Sequence, residues 1–599
     1  MSDQGIVILE YRIPLESRRI DAVLLVPGKV IVVEFKGKQA YLREDIDQAA
    51  RYYRDLKAYH LTCSETCVAC YLVPTGYEGQ PIVDGVTKIL GVRDLPGEIL
   101  SCVIAGIGVP SVAEFLSSES YQPLPSLIDA ARELFNTGSL GRVHQSAAET
   151  MPAVEACAGI IHRAAEKKRR ALILVTGVPG AGKTLVGLQL AHAQYLSDLT
   201  VTRESGLKPT GPAVFLSGNG PLIEVLQYEI ARAESGLSGK ESVGSGSGGK
   251  AFVRDVHDYV RTYAADPSRV PPNHVLIYDE AQRAFDAVQV QKKQRGLDKS
   301  LIGLSEPELF IQFAERVPEW CVVVGLVGTG QEIHVGEEGG LQQWRAAIEK
   351  ASDPDVWDVY YPETVATSGI FEGLNNTVVA PPLELNQTLR FHQANCLHQF
   401  VDELLNGNNA KARELSEKLK FQGYKLLMTH ELDKAKSYLA GAYSDAPEAR
   451  FGLLASSRDK DLGAYGIQKG FGSSGQVNRR EYGPWYSDPK GAPAACTSFS
   501  KVVTEFGSQG LELDSALLAW GTDFLRQGNQ WSNQFASRYE NPGQVRDPHK
   551  LRINAYRVLL TRGRDGCVVF IPPISTGDKS MRETWRYLAA CGFDQLTAD

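Results

Sequence analysis

The ten residues Val175-Thr-Gly-Val-Pro-Gly-Ala-Gly-Lys-Thr184 constrain this chain more than any other stretch. Ahead of them, Ala171-Leu-Ile-Leu-Val175 has the unbroken apolar character of a buried parallel strand, and behind them Leu185-Val-Gly-Leu-Gln-Leu-Ala191 has helical spacing. Glycines at such a strand-to-helix turn let successive backbone N–H groups face one anion. A lysine at its end reaches outer phosphates, and the next hydroxyl can hold Mg²⁺. The pattern predicts a P-loop that binds ATP and Mg²⁺ through Lys183 and Thr184.

At 599 residues the chain is too long for one hydrophobic core, so three or four domains are expected. It has no run of about 18 apolar residues to span a bilayer. The opening Met-Ser-Asp-Gln-Gly lacks the basic start and apolar core of a secretory leader, and a cytoplasmic protein with no membrane partner is expected. Ten scattered cysteines fit reduced thiols rather than a disulfide framework. The net charge of −8 argues against a uniformly basic surface but leaves room for a local basic track along a nucleic acid.

Strand-like apolar runs fall into three blocks. Residues 1–125 read as a small α/β unit, with strands near Ile6–Tyr11, Ile20–Val26, Val30–Phe35 and Cys67–Pro74 and a helix near Leu42–Tyr59. Residues 126–380 hold the P-loop, and residues 381–599 form a third block with strands such as Ala516–Trp520 and Cys567–Ile571. Gly236–Gly249 is rich enough in Gly and Ser to read as a flexible loop, and Ala464–Pro493 as a long one.

A second apolar strand, His274-Val-Leu-Ile-Tyr278, runs into Asp279 and Glu280. Placed downstream of a P-loop, that pair predicts Asp279 at the metal and Glu280 polarising the attacking water. Val322–Gln331 ends another strand with an amide that can sense the γ-phosphate. The third block carries Arg390 in Leu385-Asn-Gln-Thr-Leu-Arg-Phe391, and Arg557 and Arg562 in Tyr556–Gly563. Cationic groups of this kind can neutralise charge at a γ-phosphate.

The ordered set GVPGAGKT, DEAQR, GTGQE, LNQTLRF, EFGSQGLE and YRVLLTRGRDG resembles the motifs of superfamily 1 helicases, and most closely the Schlafen group 3-like DNA/RNA helicase domain, over about 450 residues. The resemblance implies two RecA-like lobes, residues 126–380 and 381–599, with ATP between them and a single strand crossing both. It assigns Gly177, Gly180, Gly182, Lys183 and Thr184 to phosphate and metal, Asp279 and Glu280 to metal and water, and Gln331 to γ-phosphate sensing. Arg390 and Arg562 become arginine fingers, while Gly510 and Glu512 belong to the motif that couples ATP to the strand. Gln145 is a candidate for reading adenine. Gly-Thr-Gly-Gln stands where the family has Gly-Asp-x-x-Gln, leaving no acid at that strand tip.

The first block contains Arg19-Ile-Asp-Ala-Val-Leu-Leu25 and then Val30-Ile-Val-Val-Glu-Phe-Lys36. Side chains alternate along a strand, so Glu34 and Lys36 share a face and Phe35 takes the other. Asp21 opens the neighbouring strand of a hairpin around Pro27-Gly28. Two carboxylates and an ammonium at one sheet edge can bind Mg²⁺ and activate water for phosphodiester cleavage. The order Asp, Glu-x-Lys resembles the PD-(D/E)xK core, and Gln48-Ala-Ala-Arg-Tyr52 is similar to the Q-x-x-x-Y signature of RecB-type nucleases. The i, i+4 spacing aims Gln48 and Tyr52 the same way. The resemblance implies Asp21 and Glu34 as metal ligands and Lys36, Gln48 and Tyr52 as their companions in catalysis. The chain enters its first strand at once, without the helix that often supplies a further acid. Glu10 is a candidate substitute, and Glu16 reads as a loop residue. Cys63, Cys67 and Cys70 invite comparison with the iron–sulfur clusters of some such nucleases, but buried free thiols are expected.

The fold class expected is therefore α/β, with an N-terminal restriction-endonuclease-like domain followed by two RecA-like P-loop lobes. The function expected is an ATP-dependent helicase or translocase coupled to a Mg²⁺-dependent nuclease in phage defence or DNA repair. Its partner would be nucleic acid, DNA rather than RNA, as a single strand or tailed duplex. Phe391, Trp485 and Tyr486 read either as base-stacking aromatics or as packing residues. Two other readings fit the same residues: a non-cleaving motor, or an NTP-gated switch that binds a protein partner.

Overall fold

A computed structural model of the chain describes residues 5–14, 18–123, 126–137, 144–177, 180–192, 194–200, 211–235, 252–293, 298–328, 340–385, 394–467, 477–538, 547–575 and 577–596. It is a mixed α/β structure that divides into two compact units. One comprises Met1–Leu124, Phe391–Pro542 and Asp547–Asp599, the other Pro125–Arg390 and Gly543–Arg546. Among the described residues, no helix is long and apolar enough to cross a membrane.

The first unit begins with an antiparallel meander of β1 (Ile6–Arg12), β2 (Arg19–Val26) and β3 (Lys29–Lys36). Gly28 closes the β2–β3 turn at φ +74°, a conformation in which an L side chain is strained. The helix Arg43–Tyr59 then carries the chain to β4 (Cys67–Pro74), which runs parallel to β3, as a helical crossover allows. With β5 (Ile82–Asp84) and β6 (Thr87–Ile89) the order is β1-β2-β3-β4-β6-β5. Alternation in β3 divides its neighbours: Val30 and Val32 pack with Tyr52 and Leu56 of the helix, while Ile31, Val33 and Phe35 pack on the opposite face.

The second unit is built on eight strands: β7 (Arg170–Gly177), β8 (Ala213–Ser217), β9 (Val253–Asp255), β10 (Val275–Asp279), β11 (Cys321–Gly328), β12 (Trp357–Tyr361), β13 (Thr377–Val379) and β14 (Glu384–Leu385). All pairs are parallel, in the order β13-β12-β7-β11-β10-β8-β9, with β14 on the edge of β7. Burial on both faces explains why β7, β10 and β11 are continuous apolar runs. The helix Lys183–His192 lies close on this sheet. A Cβ at Gly187 would stand 2.7 Å from Leu326 and 2.9 Å from Phe215, so a larger residue would have to push these buried side chains aside.

The rest of the first unit forms another parallel sheet from β15 (Lys425–Thr429), β16 (Phe451–Ala455), β17 (Val502–Val503) and β18 (Leu513–Ala519). A hairpin, β19 (Leu525–Gln527) and β20 (Gln530–Ser532), separates these from β21 (Gly563–Phe570) and β22 (Asp594–Gln595). The order is β17-β16-β18-β21-β15-β22. One expectation needs correction here, and one open alternative is settled. Within Ala464–Pro493, expected as a long loop, Tyr482–Ser487 is helical. Trp485 and Tyr486 on that helix are 2% and 1% exposed, which removes them as base-stacking platforms. Trp485 fills the space over Gly452, and the Tyr486 hydroxyl donates to the Glu512 carbonyl at 2.7 Å. Phe391 and Gly236–Gly249 lie outside the described residues.

The two sheets of the first unit are joined through the helix Arg43–Tyr59, whose Asp47, Arg51, Arg54 and Asp55 are all buried. Lys425 of β15 meets Asp47 at 2.5 Å, Arg43 meets it at 3.3 Å, and the Tyr438 hydroxyl donates to it. Arg54 bridges Asp55 at 2.6 Å and Asp565 at 2.8 Å, and Arg18 meets Asp55 at 2.7 Å. Burial pushes the Asp47 carboxyl up, but Lys425 and Arg43 outweigh it and hold it below the ordinary carboxylate range. Removing one partner of such a pair leaves an uncompensated buried charge. Lys425→Met should therefore cost about 3 kcal/mol in urea unfolding at neutral pH. Because the Asp47 carboxyl titrates below its unfolded value, its contribution is present above the carboxylate range and lost as the pH falls through it. The gap between wild type and variant should close in acid, and a gap that persists there would refute the electrostatic account.

Candidate functional sites

The first candidate site lies where the predicted P-loop strand ends. β7 is separated from β10 by β11 alone, so Gly177 and Asp279 end strands two positions apart in the sheet. Gly180 and Gly182 adopt φ +81° and +88°, which the turn requires and other residues resist. Lys183 is buried at the start of its helix and donates to the Gly177 carbonyl at 2.7 Å. The Thr184 hydroxyl donates to Asp279 Oδ1 at 3.1 Å, and the Ser217 hydroxyl to Oδ2 at 3.4 Å. Burial, followed by the neighbouring Glu280, pushes the Asp279 carboxyl up; Thr184, Lys183 and Ser217 only partly oppose this. A pair of adjacent acids under such repulsion, beside a threonine hydroxyl, fits a divalent cation.

Glu280 sits at φ +57°, a left-handed conformation uncommon for a non-glycine residue. Its Oε2 accepts from Gln282 Nε2 at 2.5 Å and meets Arg283 at 3.4 Å. Gln282 in turn accepts the Gly328 N–H at 2.8 Å, tying the end of β11 to the turn after β10. Sequence reasoning had given Gln282 no role. Gln331 and Arg390 fall outside the described residues, as does the side chain of Gln145.

Gly510, Glu512 and Arg562 lie in the other unit. Gly510 takes φ +76°. The Arg562 guanidinium is buried and donates to the carbonyls of Ser508 and Leu511, at 3.2 and 3.4 Å, and to Val558 at 2.9 Å. Glu505, at the start of the same segment, accepts from Ser457 and from Arg552 at 3.0 Å. Arg552 also meets Asp523, which the Tyr556 hydroxyl reaches at 2.8 Å. This buried network fixes the Glu505–Glu512 segment to the helix Pro548–Leu560. Arg552 and Asp523 carried no motif signal, and Tyr556, which opens the YRVLLTRGRDG motif, had no role assigned.

The second candidate site is on the β3 face under the helix Arg43–Tyr59. Lys36 Nζ donates to Glu34 Oε1 at 2.9 Å and to Gln48 Oε1 at 2.7 Å. Gln48 Nε2 donates to Glu34 Oε1 at 3.0 Å and to the Tyr52 hydroxyl at 3.1 Å. The two motifs thus meet in one network, as strand alternation and helical spacing require. Asp21 Oδ2 accepts the Phe35 N–H at 2.8 Å, fixing the start of β2 to the end of β3. Glu34 Oε2 is buried without a hydrogen-bond partner among the described residues. Burial is the main reason the Glu34 carboxyl is pushed up to about 7; Lys36 opposes the shift and Asp21 adds to it. An unsatisfied buried carboxylate oxygen beside a second acid fits a hard cation. Among the described residues, no group of three or more His, Cys, Asp or Glu is arranged to hold a metal.

Glu10 does not join this network by any bond: it is exposed and ion-paired to Arg19 at 2.5 Å. Glu16 lies outside the described residues. Cys63 and Cys70 are buried thiols, as expected, whereas Cys67 is exposed because it opens its strand. Cys63 packs with Tyr52 and Leu56, and Cys70 donates to the Ala49 carbonyl.

The raised Glu34 titration has a measurable consequence. The folded protein holds this proton above the ordinary carboxylate range, so a penalty develops as the pH rises from there to about 7 and is complete above it. Without divalent cations, Glu34→Gln should be more stable than wild type at pH 8, by about 3 kcal/mol at most, and equal to it at pH 4. Equal melting temperatures at both pH values would contradict the assignment.

No curated protein matches the chain. Among solved structures, the crystal structure of the Pyrococcus furiosus Hef helicase domain is similar at 13% identity, over 72% of this chain and 97% of that one. The TM-score of 0.25 sets no residue correspondence between them. The family model described as Schlafen group 3, DNA/RNA helicase domain, matches residues 170–573, which include the P-loop, the Asp279-Glu280 pair and Arg562. The chain belongs to that family.

Proposed function

We propose that this protein is an ATP-dependent nucleic-acid motor fused to a Mg²⁺-dependent nuclease. The observation that carries the nuclease half is the buried Glu34 Oε2, without a hydrogen-bond partner among the described residues, in a network with Lys36 and Gln48. The order of an antiparallel meander, a helix and a parallel strand, with Asp21 in β2 and Glu34 and Lys36 in β3, supports the same reading.

In the motor, the P-loop backbone around Gly177, Gly180 and Gly182 would cradle the phosphates and Lys183 would reach the outer ones. Thr184 and Asp279 would hold Mg²⁺, while Glu280 would orient the attacking water and Gln331 sense the γ-phosphate. Arg390 and Arg562 would neutralise charge developing there. In doing so Arg562 would exchange the Ser508 and Leu511 carbonyls for phosphate oxygens. Nucleotide state would then be felt by the segment holding Gly510 and Glu512.

In the nuclease, Asp21 and Glu34 would hold Mg²⁺. The bound ion would supply Lewis-acid stabilisation of the phosphate and a more acidic water. Lys36, held by Glu34 and Gln48, would stabilise the negative charge building on the phosphate, and Tyr52 would fix Gln48. DNA, as a single strand or tailed duplex, is the favoured substrate, and phage defence or DNA repair the favoured setting. Cytoplasmic location is part of the same reading.

The test is ATP hydrolysis with and without single-stranded DNA, beside Mg²⁺-dependent cleavage of a labelled tailed duplex. Lys183→Ala should lower hydrolysis by at least about 100-fold, and Glu34→Ala should abolish cutting while leaving hydrolysis intact. Hydrolysis indifferent to DNA, with no cutting, would favour a nucleotide-gated switch. Hydrolysis stimulated by DNA with no cutting would leave a motor whose N-terminal domain only grips its substrate.

A further inference from the structure

We infer that Asp445, carried on the turn after the helix Leu432–Ala442, is a positioning residue of the Glu34–Lys36 site. By holding the Tyr52 hydroxyl it fixes the orientation of Gln48. The inference rests on the nuclease reading above. It adds a residue from far along the chain, within the matched helicase domain, that no nuclease motif contains.

The Tyr52 hydroxyl lies 2.5 Å from Asp445 Oδ2 and 3.0 Å from the Arg19 carbonyl. It has one proton for two acceptors, and the shorter, charge-assisted bond to the carboxylate takes it. With its proton committed to Asp445, the phenol presents a lone pair to Gln48 Nε2 at 3.1 Å. That acceptor sets the amide orientation, because the Gln48 nitrogen must then point at Tyr52 and Glu34, at 3.0 Å, and its oxygen at Lys36, at 2.7 Å. A flipped amide would set its nitrogen against the Lys36 ammonium and its oxygen against the Glu34 carboxylate, repulsive at both ends. The sequence of bonds therefore runs Asp445, Tyr52, Gln48, then Lys36 and Glu34.

Asp445 is itself oriented from both sides. Arg51, one residue before Tyr52, places Nη2 3.4 Å from Asp445 Oδ1 and donates to the Ala442 carbonyl. Its guanidinium stacks 4.2 Å above the Tyr443 ring. The Asp445 side chain is 16% exposed, so water competes only weakly for the Tyr52 proton. An aspartate needed only to pair Arg51 would require no contact with Tyr52. The consequence is that the face of the helix Arg43–Tyr59 carrying Gln48 and Tyr52 takes its final geometry from the segment between β15 and β16.

The experiment uses the full-length protein. Cleavage kcat and KM, ATP hydrolysis, melting temperature and Mn²⁺ affinity are measured for wild type, Glu34→Ala, Asp445→Asn, Tyr52→Phe and the Asp445→Asn/Tyr52→Phe double variant. Asp445→Asn should lower cleavage kcat by roughly tenfold or more. KM, ATP hydrolysis and Mn²⁺ affinity should stay within about twofold of wild type. The double variant should be no worse than Tyr52→Phe alone, because both act through one hydroxyl. Three results would overturn the inference while leaving the nuclease reading in place. These are wild-type kcat in Asp445→Asn, losses that multiply in the double variant, or a large loss of Mn²⁺ affinity that makes Asp445 a ligand. Absence of cutting in the wild type would instead remove the nuclease reading, and the inference with it.

Discussion

The first unit depends on a helix with two loaded faces. Along Arg43–Tyr59, Gln48 and Tyr52 point to β3, while Asp47, Arg51, Arg54 and Asp55 are buried towards elements of the β15–β22 sheet. Burying that many charges is tolerable only because each is paired: Asp47 with Lys425 and Tyr438, Arg51 with Asp445 and Arg54 with Asp565 across the contact, and Asp55 with Arg54 and Arg18 on its own side. Such pairs contribute little net stability against an apolar alternative, but they are exacting in geometry. They fix the rotation of the helix about its axis, and that rotation sets where Gln48 and Tyr52 stand relative to Glu34 and Lys36.

The same economy of position governs the second unit. Parallel strands bring their carboxyl ends to one edge, where β7 delivers the glycine-rich turn and β10 delivers Asp279 and Glu280. Gly187 lets the helix after the turn lie close on the sheet, so Lys183 and Thr184 emerge with their groups directed at Gly177 and Asp279. The stress left in the site, two adjacent acids of which one is buried, is of the kind a divalent cation relieves.

Much of this was legible in the sequence because periodicity and motif spacing are local. Strand alternation placed Glu34 with Lys36, helical spacing placed Gln48 with Tyr52, and Pro27-Gly28 marked the hairpin; each is seen. The stripe at Asp47, Arg51 and Asp55 has the i, i+4 spacing of a solvated helix face, and nothing nearby in the sequence says that residues almost 400 positions later cover it. Asp445 sits in an ordinary Ser-Asp-Ala-Pro turn. Trp485 and Tyr486 were open between stacking and packing because a Gly-, Ser- and Pro-rich context conceals burial decided by Gly452 and Glu512. Arg552 and Asp523 are silent for the same reason: a buried ion pair is a tertiary fact.

The central claim is that one chain joins an ATP-driven motor to a nuclease whose geometry the helicase domain helps to set. The most direct measurement is the rate and product pattern of cleavage of one tailed duplex under single turnover. It would compare no nucleotide, ATP and a non-hydrolysable ATP analogue, each with Mg²⁺ in excess. The account predicts that ATP and the analogue give different rates or cut positions, and that Lys183→Ala behaves the same in all three conditions. Cleavage of wild type that is identical with ATP, with the analogue and without nucleotide would contradict it.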